Sequence, residues 1–271
     1  MKCGIVMPYP SARDAVEFAA IAEEHGWDGF FVWESVWGID AWVSLGAAAV
    51  RTETIQRGTM LSPLSRMRPW MVASEYVTLD QLSGGRAILV VGLGAADTGF
   101  AEFGEETNMK VRAELMDEAL DIITGLFDGQ PFEYVGKHHK VESTQFFPLP
   151  NPINQTIWVV GLLGSNRSMS RVVKFQGLLP SVRDGNGKWR ILEPGDVEQM
   201  RAFVEQHGCD EDYDIVVEGT TPGDDSEKAQ EEVRKWQDAG ATWWMESMWQ
   251  IQDEPGRRDL FKERVKQGPP A

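Results

Sequence analysis

Two stretches of this chain carry groups that could hold an anion. Gly161-Leu-Leu-Gly-Ser-Asn-Arg167 opens a short helical segment after an apolar run. Free backbone N–H groups there, with the Ser165 hydroxyl and the Asn166 amide, would cradle a phosphate. Ser165 or Asn166 serves equally well as a plain helix N-cap. Asn108 to Arg112 opens the longest helical segment, and position 108 offers Arg112 no acidic partner. Arg112 is therefore either a phosphate clamp or a solvated arginine pairing with Glu114 or Glu118. Val91-Gly92-Leu-Gly94 follows another apolar run, but position 97 is Asp, so the third glycine of a dinucleotide fingerprint is missing. Gly92 and Gly94 instead suit a tight turn or a close approach of backbone to ligand.

Other chemistries find no residues to carry them. His138 and His139 are adjacent on an extended stretch, so their side chains point to opposite faces. His25 and His207 each precede a glycine at a helix end, where an imidazole complements the helix dipole. No Ser/His/Asp set, Cys/His set or paired carboxylate emerges. Asp224 and Asp225 read as an acidic helix start. Cys3 and Cys209 have no neighbour at metal spacing and cannot form a disulfide framework, which suits a reducing cytoplasm.

These residues sit in a regular alternation. Eight apolar, β-rich runs occupy 2–7, 29–33, 55–61, 87–92, 156–161, 177–180, 214–219 and 242–246. They are near-continuous in Val, Ile, Leu, Phe and Trp, as parallel strands covered on both faces should be. Between them the apolar residues recur at helical spacing, for example Ala15, Phe18, Ala19 and Ala22, or Leu115, Ala119, Ile122 and Leu126. Eight β–α units predict an α/β fold, a (β/α)8 TIM-type barrel formed by 1–271 as one domain, with a doubly wound sheet as the alternative. The stretch 131–147, with Gly136 between two extended runs, predicts a small hairpin inserted before the fifth strand. In a barrel the site lies at the C-terminal strand ends. That rule singles out Pro8, Glu34 and Ser35, Met60, Leu61 and Ser62, Gly92 to Ala95 with Gly94 between them, the loop from Gly161 to Arg167, Ser181, Glu218 to Thr221 and Ser247.

Composition sets the outer limits. Twenty-six Lys and Arg face 42 Asp and Glu, a net charge of −16. Such a chain repels phosphate backbones and anionic lipid, so neither nucleic acid nor a membrane surface is an expected partner. No apolar run approaches bilayer length, and no apolar leader follows Lys2. An anionic ligand must be caught by a few local cations. Of the eleven tryptophans, Trp37, Trp42, Trp70 and Trp189 fall near the upper loops, where they could line an apolar pocket.

The chain also resembles a known family. The stretches Glu23-Glu-His-Gly-Trp-Asp-Gly-Phe-Phe-Val-Trp33, Asp40-Ala-Trp-Val43, Arg57-Gly-Thr59, Thr78-Leu-Asp-Gln-Leu-Ser-Gly-Gly-Arg86, Leu126-Phe-Asp-Gly-Gln-Pro131 and Ala239-Gly-Ala-Thr-Trp-Trp244 look like the bacterial luciferase-like flavin-dependent oxidoreductases. The resemblance runs in order along essentially the whole chain. It implies a barrel that binds reduced FMN or the deazaflavin coenzyme F-420 at its mouth. It places the cofactor against Glu34, Met60, Leu61, Ser62, Gly92, Gly94, Arg112, Gly161, Gly164, Ser165 and Asn166. It also implies a bulge or a non-prolyl cis peptide between Met60 and Ser62, and Glu34 and Ser35 as the catalytic pair. Many relatives carry His where this chain has Ser35, a departure that weighs towards FMNH2/O2 monooxygenase chemistry on a small, moderately apolar substrate. A separate flavin reductase would then supply the reduced FMN. The alternatives are an F-420-dependent reductase or dehydrogenase, and a flavin-binding protein without turnover. A homodimer is common in families of this kind.

Overall fold

A computed structural model describes residues 1–95, 98–128, 131–147 and 155–270. Asp97, Gly129 and Gln130, which enter two of the motifs above, lie outside the described residues. Eleven strands occur among the described residues: β1 Lys2–Met7, β2 Gly29–Val32, β3 Gln56–Thr59, β4 Ser62–Pro63, β5 Ala87–Gly92, β6 Phe132–Val135, β7 Lys140–Thr144, β8 Thr156–Leu162, β9 Gly177–Ser181, β10 Asp214–Gly219 and β11 Trp243–Ser247. The helices are α1 Ala12–Glu24, α2 Ala41–Ala49, α3 Pro69–Ser83, α4 Met109–Phe127, α5 Asn166–Val172, α6 Pro194–Gln206, α7 Ser226–Asp238 and α8 Arg257–Lys266.

Eight parallel strands run β3-β2-β1-β11-β10-β9-β8-β5, and β5 returns to β3 to close the barrel. The expected eight β–α units and the hairpin, β6 with β7, are all present. The third strand departs from expectation. Instead of one run over 55–61, β3 stops at Thr59 and β4 resumes at Ser62 against the upper end of β5. The Met60–Leu61 peptide between them is cis.

Helix starts follow local chemistry. Ser11, Asp40, Asn108, Ser165 and Asp225 cap α1, α2, α4, α5 and α7 by accepting backbone N–H bonds. Pro69 and Pro194 occupy first-turn positions of α3 and α6. Asp225 thus has the helix-start role that its sequence context suggests. His25 and His207 each bond through Nδ1 to a carbonyl of the last turn, Ile21 and Phe203, at 2.8 Å.

The barrel floor is a stack of large side chains. Phe31 stacks on Trp158 at 5.7 Å between ring centroids, and Trp158 meets Trp243 edge-on at 5.1 Å. Asp214 accepts from both indole N–H groups, at 3.1 and 3.0 Å, so neither is left buried without a partner. Burial pushes the Asp214 carboxyl above its usual range, against the pull of its hydrogen-bond donors. A cavity in this barrel therefore has to open at the other end, above Phe31 and Met60.

The closing seam tolerates no side chain at Gly58. A Cβ there would lie 2.3 Å from the Ile88 carbonyl oxygen and 3.2 Å from the Phe31 ring. Gly58→Ala is expected to lower stability by ~1–3 kcal/mol, as overpacking does. The check is a lower urea midpoint with an unchanged slope.

Candidate active site at the barrel mouth

A cavity of about 760 Å³ opens at the C-terminal ends of the strands. Its floor and walls are mostly apolar, with Trp33, Met60, Leu61, Phe100, Trp189 and Trp249 prominent. Gly92 and Gly94 form one edge. A Cβ on Gly92 would lie 2.9 Å from both Leu61 and Val160, and Gly94 has φ +72° with a Cβ position 2.8 Å from Pro63. The two glycines thus let the β5 turn lie flat against the Met60–Pro63 segment.

Glu34 follows β2 and enters the cavity wall. Its Oε2 accepts from the Ser62 hydroxyl at 2.7 Å, and its Oε1 accepts from Arg66 Nη1 at 2.9 Å. The Ser62 hydroxyl also meets Thr59 Oγ1 at 2.7 Å. Burial pushes the Glu34 carboxyl above its ordinary value, with the Ser62 bond and the Arg66 charge opposing the shift. This group can hold a proton at a pH where a solvated glutamate would have lost it.

Ser35 goes elsewhere. Neighbouring side chains at a strand end diverge. Ser35 is buried, its Oγ has no hydrogen-bond partner among the described residues, and it does not line the cavity. Ser62 does not line the cavity either and acts on it through Glu34.

Arg112 departs from one of its two sequence readings. Its side chain is 3 % exposed, so it is not a solvated arginine. Glu114 and Glu118 are engaged by the hairpin, Glu114 with Lys137 and His138, and Glu118 with the N–H groups of 137, 138 and 139. Arg112 instead donates to the carbonyls of Leu93 and Gly94 and lies over the Phe100 ring at 4.5 Å. It holds the β5 turn in shape while lining the cavity, and its Nε is buried without a partner.

The 161–167 loop is divided between two spaces. Ser165 and Arg167 reach the cavity. Gly161 packs under α5, where a Cβ would meet Val172 at 3.2 Å. Gly164 and Asn166 face a shallower space of about 330 Å³ between α5 and α6. Among the expected tryptophans, Trp189 lines the cavity, while Trp42 is buried in α2 and Trp70 packs near His139. Trp33, which directly follows β2, is also on the wall.

Sequence reasoning missed most of the charge at this site. Lys110, Arg112, Arg167, Arg171 and Arg183 line one flank, between the ends of β5, β8 and β9. Arg167 and Arg171 share the single carboxylate of Asp117, at 2.7 and 2.5 Å. Arg183 has no carboxylate partner among the described residues. It lies over Trp189 at 4.2 Å, donates to Met109 Sδ at 3.2 Å, and keeps a buried, unpartnered Nε. A chain of net charge −16 thus presents a local cationic flank. The strand-end rule pointed to Ser181, two residues short of Arg183. For Arg66 no local pattern existed. Glu218, which the same rule did find, accepts from Trp249 Nε1 at 2.9 Å.

The comparisons with known proteins can now be set beside this geometry. The luciferase-like monooxygenase family matches residues 2–269. The chain belongs to that family. It is 32% identical over 148 residues to an F420-dependent glucose-6-phosphate dehydrogenase of Amycolatopsis mediterranei, a match covering 51% of this chain and 44% of the relative. The chain thus matches about half the length of such curated relatives. In fold it is similar to the coenzyme F420-dependent tetrahydromethanopterin reductase of Methanopyrus kandleri, with a TM-score of 0.77, 15% identity and coverage of 98% and 96% of the two chains. It is also similar to the oxygenating constituent of 3,6-diketocamphane monooxygenase from Pseudomonas putida, solved with FMN, with a TM-score of 0.72, 15% identity and coverage of 98% and 96%. At these identities the two structures establish the barrel and nothing finer. Among the described residues, no helix is long and apolar enough to cross a membrane.

Two arginines separate structure from binding. Arg112→Ala removes charge-assisted bonds to two carbonyls and should cost ~1.5–3 kcal/mol of stability. Arg183→Ala breaks no such bond and should stay within ~0.5 kcal/mol of the parent. Chemical denaturation of both variants measures the difference.

Proposed function

We propose that this protein is an oxidoreductase dependent on the deazaflavin coenzyme F-420, which transfers a hydride to or from a small, moderately apolar organic substrate. The observation that carries this reading is Glu34, a buried carboxyl held by Ser62 and Arg66 on the wall of a largely apolar cavity. Hydride exchange at a carbon–oxygen bond needs a group that gives or takes a proton at the oxygen. Ser35 cannot supply one near neutral pH, which favoured oxygen chemistry on FMN at the level of sequence. A carboxyl whose burial makes its protonated form accessible supplies what the absent imidazole would. The likeness to F420-dependent relatives over half the chain supports the same choice.

The residues of the cavity suit such a cofactor. Deazaflavin and flavin cofactors carry phosphate, and the cavity-lining Lys110, Arg112, Arg167 and Arg183 are the cations on hand for it. Gly92 and Gly94 keep side chains off the edge where a flat ring would lie. Bound there, the deazaflavin supplies the two-electron hydride chemistry. Glu34 holds the proton, Arg66 and Ser62 orient it, and Trp33, Phe100 and Trp249 keep water away.

An FMNH2/O2 monooxygenase fed by a separate reductase is the second reading, favoured by the lack of an imidazole beside Glu34. Titration with each cofactor separates the two. Tight binding of F-420 with weak FMN binding is expected, and the reverse overturns the proposal. Arg183→Ala should weaken F-420 binding by ~10–100-fold, the effect of losing one charge-assisted contact. Glu34→Gln should bind F-420 normally and lower turnover by ~100-fold or more. Because the Glu34 carboxyl is raised, the substrate-reducing direction, which uses its protonated form, should fall as pH rises. The oxidising direction should rise over the same range.

A homodimer through α2 completes the proposal. Val43, Gly46, Ala47 and Val50 recur at helical spacing on its outer side, and Val43 and Val50 are 73% and 70% exposed. Val43→Glu should then halve the mass measured by light scattering, while an unchanged mass removes α2 from the interface.

A further inference from the structure

One carboxylate at the mouth has no part in the chemistry above. Along β10, Ile215 and Val217 belong to the layer between sheet and helices, while Val216 joins the inner cluster with Phe31, Trp158 and Trp243. Side chains alternate along a strand, so Glu218 faces the barrel interior one layer above Val216. The inward residues at the same end of the preceding strands, Ser181 on β9, Val160 on β8 and Gly92 on β5, all line the cavity. Glu218 continues that ring on β10, level with Met245 on β11. Trp249, just after β11, packs on the inner cluster and lines the cavity.

Glu218 Oε2 accepts from Trp249 Nε1 at 2.9 Å. That bond fixes the indole on the cavity wall beside the carboxylate. Glu34 is paired with Arg66, and Asp117 with two arginines, but among the described residues no Lys or Arg pairs with Glu218. The residue is open to solvent. The barrel wall nevertheless desolvates its carboxyl and raises it, with the Trp249 and Ser247 hydrogen bonds opposing. A cation beside it would favour the ionised form.

An ammonium group meets two complements here, a carboxylate without a counter-charge and the π-system of an indole. A neutral hydroxyl would gain a hydrogen bond and no charge. An anion would be repelled, and its place is the cationic flank at β5, β8 and β9. The net charge of −16 also draws small cations towards the mouth.

We propose that Glu218 and Trp249 form a cation subsite, and that the substrate is a small organic molecule carrying an ammonium group. This names the substrate class of the proposed oxidoreductase and rests on that reading. Glu34 takes the reacting oxygen, and Glu218, three strands away around the barrel, takes the charged end. Glu218 sets specificity and exchanges no proton with the reacting atoms.

The test is isothermal titration calorimetry of the full chain, without cofactor, against benzylammonium chloride and benzyl alcohol. The wild type should bind the ammonium at least ~10-fold more tightly than the alcohol. Glu218→Gln, which keeps an acceptor for Trp249, should bring the two within ~2-fold of each other, while Glu34→Gln keeps the preference. Equal binding of the two probes by the wild type overturns the proposal. So does a preference that survives Glu218→Gln or is abolished by Glu34→Gln. Should Glu218→Gln fail to fold, the wild type labelled with nitrogen-15 at its indoles decides. The resonance missing in Trp249→Phe should move on addition of benzylammonium, and an unmoved resonance overturns the proposal. No cofactor is needed, so failure of the cation subsite and failure of the F-420 reading appear in different experiments.

Discussion

The seam between β3 and β5 is the constraint on which the mouth of this barrel depends. Two register pairs join these strands, Arg57 with Ala87 and Gly58 with Ile88. Their backbones approach so closely at Gly58 that a methyl group would meet the Ile88 carbonyl. Closure at this point carries the chain across the top of β5, where Ser62 and Pro63 pair with Val91 and Gly92. The Met60–Leu61 segment is thereby laid against Gly92, and the floor of the cavity is made. Arg57 supports the same seam from outside, donating to Thr52 Oγ1 at 2.7 Å and to the Ile55 carbonyl at 2.6 Å.

The two ends of the barrel solve the problem of buried polarity differently. At the bottom, Asp214 satisfies two indoles and Thr242 and leaves a sealed plug. On the far wall, Glu246 accepts from Thr221, Trp244 and Arg264, which fixes α8 against β11. These networks satisfy their members internally, as stable buried polar groups must. At the mouth the accounting is left open. Arg112 and Arg183 each keep an unpartnered Nε, and Glu75 keeps an unpartnered oxygen. Trp42 Nε1, Arg57 Nε and Asp80 Oδ1, away from the cavity, are unpartnered as well.

Charge follows the same logic. Excess acid covers the molecule as a whole, while five Lys and Arg side chains line the β5–β8–β9 flank of the cavity and Glu34 lies on the opposite wall. The long-range field repels anions, so capture of one rests on contacts made inside the cavity, where low dielectric strengthens them. Glu34 is paired instead with Arg66, on its own wall.

The sequence by itself determined the barrel, the hairpin and the level at which the site lies. Near-continuous apolar runs and capping residues are local signals, and eight repeats leave little choice of architecture. Glu34, Gly92 and Gly94 could be placed at the mouth because a strand end is also a local property. What tertiary structure decided is where side chains of the same type go once the strands close. Ser35 turns from the cavity where Glu34 enters it, and Ser62 becomes a support for that glutamate. Arg112 turns inward to the carbonyls of Leu93 and Gly94, which no spacing along α4 could reveal. Arg66 and Arg183 come from η1 (Leu64–Arg66) and the segment after β9, far apart in the chain. Their roles arise from the partners they meet and the partners they lack, and both are properties of the closed barrel alone.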